Sequence, residues 1–183
     1  PEPIEAGPAE QPAVPPESLP EAEVAPALSA AHARLAGLAD NFEVDPEILE
    51  IFLEEVDEVL EAIDAHLEPW RGDLTEGQHA VELRRSFHTL KGSGRLVGAH
   101  LLGELAWSIE NMLNRVLDGT IAADLGLLAA IAEARAVVPS LRDAFAAGTS
   151  VPPGNIAPIV DRAERIAAGL EPEQAPAEAP VVP

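Results

Sequence analysis

Cysteine is absent from the 183 residues, which rules out both a disulfide framework and a thiolate metal site and suits a cytoplasmic protein. Basic residues are scarce: 11 Lys and Arg against 32 Asp and Glu leave a formal net charge of -21. Binding to a phosphate backbone needs clustered cations that release counterions, so nucleic acid is a poor partner, and an acidic membrane surface would repel the chain. No apolar run approaches the roughly 20 residues of a transmembrane helix, and no signal peptide opens the sequence. A cytoplasmic location is the expectation. The first residue is Pro1 rather than Met, so the chain reads as part of something longer. The aromatic and β-branched runs of a strand-rich fold are missing too.

What is present is sorted by proline. Eight of the 18 prolines lie at or before Pro26 and four at or after Pro172, with only Pro46, Pro69 and Pro139 between Ala27 and Val151. The ends are rich in Pro, Ala and Glu and cannot bury enough apolar area to offset chain entropy. Residues 1–26 and 171–183 therefore read as inter-domain linkers, and residues 27–170 as one helical domain with a core over 45–148.

Within that domain apolar residues recur at helical spacing. Asp45-Pro46-Glu47 is a helix start, with a capping carboxylate, proline in the first turn and an acid behind it. Leu49, Phe52, Val56, Val59, Leu60, Ile63 and Leu67 follow on one face, while Glu50, Glu54, Asp57, Glu58, Glu61 and Asp64 read as a solvated surface. After a break at Pro69–Thr75, further helices are expected from about Glu76 to Val97, through Leu102–Val116 to a stop at Asp118-Gly119, and from about Ala122 to Ala147. Pro139 is expected to kink or divide the last of these. Shorter helices around Leu28–Leu38 and Ile156–Leu170 flank them. Short connections favour an all-α, antiparallel up-down four-helix bundle with accessory N- and C-terminal helices.

One segment concentrates charge against the trend. Arg84-Arg85-Ser86-Phe87-His88-Thr89-Leu90-Lys91-Gly92-Ser93-Gly94-Arg95 holds four of the 11 basic residues. On a helix Arg84, His88, Lys91 and Arg95 fall within about 60° of one line, a basic stripe centred on the histidine. Leu83, Phe87, Leu90 and Val97 point toward the interior, which leaves His88 at the surface. A helical side chain leans toward the N-terminus and covers the preceding turn, so residue 92 would shield residue 88, and Gly92 leaves the imidazole open. Glycine in a helix interior costs about 1 kcal/mol relative to alanine. Two in three residues, Gly92 and Gly94, are easier to explain by access than by folding. By the same lean, Lys91 can reach back to stabilise an anion on the ring.

His88-Thr89-Leu90-Lys91-Gly92, in the second long helix of such a bundle, resembles the phosphorylation motif of histidine phosphotransfer (HPt) domains, above all those of chemotaxis-type histidine kinases. The resemblance covers about Pro46 to Ala147. It implies that His88 carries a phosphoryl group between a kinase catalytic domain and a response-regulator receiver aspartate, as the phosphotransferase module of a histidine kinase. It also implies that Glu110, in Trp107-Ser108-Ile109-Glu110-Asn111-Met112-Leu113, orients the ring through the nitrogen that is not phosphorylated. Lys91, with Arg84 or Arg95, would screen the phosphoimidazole. No cofactor is expected on this chain, ATP and Mg²⁺ being held by partner domains. Trp107 departs from the family pattern, which often has a second histidine there. The flanking linkers resemble multi-module chemosensory kinases that control type IV pili. The alternative function is a phosphotransfer-inactive helical docking or scaffold module.

Other candidates are weaker. His32, His66, His79 and His100 read as ordinary surface or boundary residues. Glu76-Gly77-Gln78-His79 matches the Glu-x-x-His element of carboxylate-bridged metal bundles, but that architecture needs two such elements, so no metal site is expected. No HExxH, P-loop or Gly-x-Ser-x-Gly pattern occurs, which argues against a zinc hydrolase, nucleotide binding or an esterase.

Overall fold

Two aspartates set the starts of the outer bundle helices. Asp45 is extended and its carboxylate accepts the Glu47 amide at 2.8 Å, while Pro46 opens α2 (Pro46–Gly72) where a missing N–H would be unpaired in any case. Asp124 accepts the Leu127 amide at 2.7 Å and starts α5 (Leu125–Ala146), three residues later than apolar spacing alone suggests, because the cap decides the first turn. Between them run α3 (Gly77–Val97) and α4 (His100–Leu117). A short α1 (Ala25–Ala36) precedes them, and α6 (Ala157–Ala167) follows a single 3-10 turn at Pro153–Asn155. This is a computed structural model that describes residues 25–170. The Pro/Ala/Glu-rich ends lie outside the described residues, apart from Ala25 and Pro26, which begin α1.

Burial explains the arrangement. Phe52, Val56, Val59, Leu60, Ile63 and Leu67 of α2 meet Ala80, Leu83, Phe87 and Leu90 of α3 in one core with Leu127, Ile131, Ala134, Val138, Leu141 and Phe145 of α5. The four long helices close a ring, α2 against α3, α3 against α4, α4 against α5 and α5 against α2. Helix α6 packs on α4 and α5, and α1 packs on α6. Helix α4 is thus covered on two sides, which is why it buries Leu101, Leu102, Leu105, Ala106, Ile109, Met112 and Leu113 around much of its circumference. Among the described residues there is no strand, and no helix is long and apolar enough to cross a membrane.

Both interior prolines are accommodated without a break. Helix α2 continues past Pro69 to Gly72. Pro69 and Ala65, the residue whose carbonyl loses its helical donor, are both exposed, so water can replace that bond. Trp70, only 1% exposed, anchors the last turn, its indole N–H donating to the Leu74 carbonyl at 3.3 Å. Helix α5 is likewise a single helix through Pro139, held on both sides by buried Val138 and Leu141. The acidic face of α2 is more than solvated surface: Arg135 of α5 makes two 2.7 Å bonds to Asp64, and Arg142 pairs with Asp57. Exposed pairs of this kind add at most about 1 kcal/mol each.

Helices α3 and α4 approach closely at Gly94, and this separates two glycines that sequence reasoning treats together. A methyl on Gly94 would lie 3.2 Å from the Ala99 carbonyl oxygen and 3.3 Å from the Gly103 amide nitrogen. Both are backbone atoms that cannot swing aside, so Gly94 is a packing glycine, not an access glycine. A methyl on Gly92 would meet nothing within 4 Å. Gly94→Ala is therefore expected to destabilise the domain by about 1–3 kcal/mol through overpacking. Gly92→Ala should stabilise it by about 0.5–1 kcal/mol through helix propensity, the two opposite shifts being read from urea unfolding curves.

Candidate functional site

Closing α3 on α4 at Gly94 and Gly103 sets the register one and a half turns away, where His88 and Lys91 of α3 meet Glu110 of α4. His88 Nδ1 lies 2.7 Å from Glu110 Oε1, and Lys91 Nζ lies 2.6 Å from Glu110 Oε2. Glu110 is the one buried charged residue among the described residues. Its side chain is 7% exposed, whereas that of His88 is 59% exposed. The carboxylate is thus an interior group holding a surface imidazole from behind.

The proton positions follow from charge. Burial pushes the Glu110 carboxyl up, but the hydrogen bonds and charges of Lys91 and His88 outweigh it and hold the group below its ordinary value. An ionised carboxylate only accepts. The hydrogen on the shared bond therefore belongs to His88 Nδ1, and Nε2 carries the ring's lone pair on the exposed side. A methyl on Gly92 would face open space, with no heavy atom within 4 Å, the imidazole of His88 included.

The basic stripe is divided by the structure. Lys91 is committed to Glu110 rather than to the ring. Arg95 turns away toward Glu104 of α4, at 3.7 Å, and Glu104 also accepts from Arg34 of α1 at 2.8 Å. Arg84 and Arg85 make no ion pair among the described residues. Trp107, at the departing position, is half-buried with the Arg34 guanidinium 5.9 Å from its ring centre, so it serves the docking of α1. Leu96 was not singled out by the sequence. Two turns beyond His88 on α3, it is 84% exposed, and a lone leucine inside an apolar pattern carries no mark of exposure.

The remaining histidines are not all ordinary. His66 and His79, read as surface or boundary residues, face each other across α2 and α3, with Nδ1 atoms 3.1 Å apart. Tertiary contact between residues 13 apart leaves no local pattern to read.

The profile of the Hpt domain family matches residues 47–147, more than half of the chain. The chain belongs to the Hpt domain family. The chain is similar to the chemotaxis protein CheA of Listeria monocytogenes and that of Listeria innocua, each 35% identical over 75 residues. Those 75 residues are 41% of this chain and 12% of each relative, so the Hpt chain spans a small part of the length of these proteins. Among solved structures it resembles the phosphorylated P1 domain of CheA3 in complex with CheY6 from R. sphaeroides, with a TM-score of 0.63 and 21% identity. That match covers 68% of this chain and 98% of the other, and the likeness establishes a shared helical-bundle fold.

The low Glu110 value has a measurable consequence. The folded chain keeps this carboxylate ionised to lower pH than the unfolded chain does. Its stabilisation is therefore fully present above the unfolded value of about 4.3 and lost as the pH falls through the lower folded value. Glu110→Gln should be less stable than the wild type by about 1–3 kcal/mol at neutral pH, and denaturant titrations should show that gap closing below about pH 4.

Proposed function

We propose that His88 is the phosphoryl-carrying residue of this Hpt domain, and the observation that carries the reading is the 2.7 Å contact of Nδ1 with a buried, ionised Glu110. Nε2 attacks the γ-phosphorus of ATP held with Mg²⁺ in a separate kinase catalytic domain. An N–P bond forms as the bond to the ADP oxygen breaks. Nδ1 keeps its proton throughout, so the phosphorylated ring is cationic and Glu110 stabilises it. The ring is then a good leaving group when a receiver aspartate oxygen attacks the phosphorus and the N–P bond breaks. Positioning and charge stabilisation are what a protein mainly contributes to such a transfer.

In this scheme Lys91 is a positioning residue that keeps Glu110 ionised and aimed. Arg84 and Arg85 screen the phosphoryl group and steer an acidic, Mg²⁺-binding receiver site, an effect that salt weakens. Exposed Leu96 supplies apolar contact at the edge of the same face. The solved relative, a phosphorylated P1 domain with CheY6 bound, supports a receiver as the partner. The chain acts as the phosphotransferase module of a cytoplasmic histidine kinase and needs a catalytic domain from elsewhere. Its Pro/Ala/Glu-rich flanks favour a multi-module chemosensory parent of the kind that controls type IV pili.

Incubation with a CheA-type catalytic core and Mg-ATP tests this. The wild type should gain one acid-labile phosphoryl group and His88→Gln none. Glu110→Gln should accept it about 10²-fold more slowly while retaining its helical circular-dichroism spectrum. A wild-type chain that stays unphosphorylated by a core active on its own P1 domain would instead favour a docking module without transfer.

A further inference from the structure

At the end of α3 remote from His88, a second imidazole arrangement is built from both neighbouring helices. His66 of α2 and His79 of α3 have ring centres 5.4 Å apart and Nδ1 atoms 3.1 Å apart. Behind His79, its Nε2 lies 3.0 Å from Glu76 Oε2. A carboxylate accepts, so Nε2 of His79 donates, and in the neutral ring Nδ1 is a bare lone pair aimed at His66. In the chain as it stands, a proton on His66 Nδ1 bridges the two rings.

A ring whose far N–H is held by a carboxylate while its other nitrogen presents a lone pair is the arrangement that surrounds metal-bound histidine. Two nitrogens bound to one tetrahedral ion at about 2.0–2.1 Å are separated by about 3.3–3.4 Å. The pair is a few tenths of an ångström from that spacing.

We propose that His66 and His79 form a two-histidine site for a divalent transition-metal ion, with Zn²⁺ as its simplest occupant. The His66 proton moves from Nδ1 to Nε2 through solvent, and both rings ligate as neutral donors through Nδ1. No third His, Cys, Asp or Glu converges on the pair among the described residues, so water fills the remaining positions. The site is exchangeable and open rather than a closed structural centre. Imidazole donors select zinc, copper or nickel over magnesium and calcium, which prefer oxygen. The His79 side chain is 16% exposed and His66 is half-buried, which gives an ion access from the surface. The net charge of -21 draws cations toward the chain. A bound ion ties α2 to α3 across the 73–76 connection, about 13 Å along α3 from His88.

Calorimetric titration of the chelator-treated 183-residue chain with Zn²⁺ tests the site, independently of phosphotransfer. One ion should bind per chain, in the micromolar range. His66→Gln and His79→Gln should each weaken it at least tenfold, Glu76→Gln by about tenfold, and His88→Gln not at all. Because a histidine variant could unfold the α2–α3 contact, ¹⁵N NMR of the wild type gives a second readout. Zn²⁺ should shift the His66 and His79 ring nitrogens and leave those of His88 unmoved. Absence of one-to-one binding, binding retained in both His66→Gln and His79→Gln, or zinc shifts centred on His88 and Glu110 would each overturn the proposal.

Discussion

Glu110 is the interaction on which the rest of the site depends. A carboxylate this far from water persists only if its charge is compensated, because burying an ion without a partner costs several kcal/mol. Two groups from α3 supply the compensation, Lys91 Nζ at 2.6 Å and His88 Nδ1 at 2.7 Å. Those same contacts determine the chemistry. Lys91 keeps Glu110 ionised, the ionised carboxylate can only accept, and the ring is thereby forced to place its proton inward and its lone pair outward. A functional tautomer thus follows from the requirement that a buried charge be neutralised.

That arrangement requires two helices at one depth and register. Gly94 and Gly103 let the α3 and α4 backbones approach closely, and the antiparallel pairing then carries His88 and Lys91 to Glu110. Gly92, in the same helix, has no such packing role: no atom lies within 4 Å of where its side chain would begin. One glycine brings helices together and the other faces open space. Alongside them, α6 and α1 cover the outer side of α4, and Arg34 links that layer to Glu104 and Trp107.

Much of this was legible from residue spacing. The all-α class, the four long helices, the Asp45 cap and the outward placement of His88 are all local properties that periodicity and capping chemistry report. The match of Glu110 to His88 came from resemblance, and the structure supplies the distance. Less legible features are those set by tertiary contact. Pro69 and Pro139 look like helix breakers in sequence, yet burial of Trp70, Val138 and Leu141 outweighs the loss of one backbone bond each. Gly94 is indistinguishable from Gly92 until the partner backbone is in place. The turn of Arg95 toward Glu104, and the meeting of His66 with His79, depend on neighbours that no local pattern encodes.

The central claim is that Glu110 holds His88 with its proton on Nδ1 and its lone pair on Nε2. A long-range ¹H–¹⁵N correlation spectrum of the His88 imidazole at neutral pH tests it most directly, since an isolated neutral histidine prefers the opposite tautomer. The account predicts a protonated, pyrrole-type Nδ1 and an unprotonated, pyridine-type Nε2 in the wild type, with that preference lost in Glu110→Gln. A pyridine-type Nδ1 in the wild type, or a tautomer unchanged by the substitution, would contradict it.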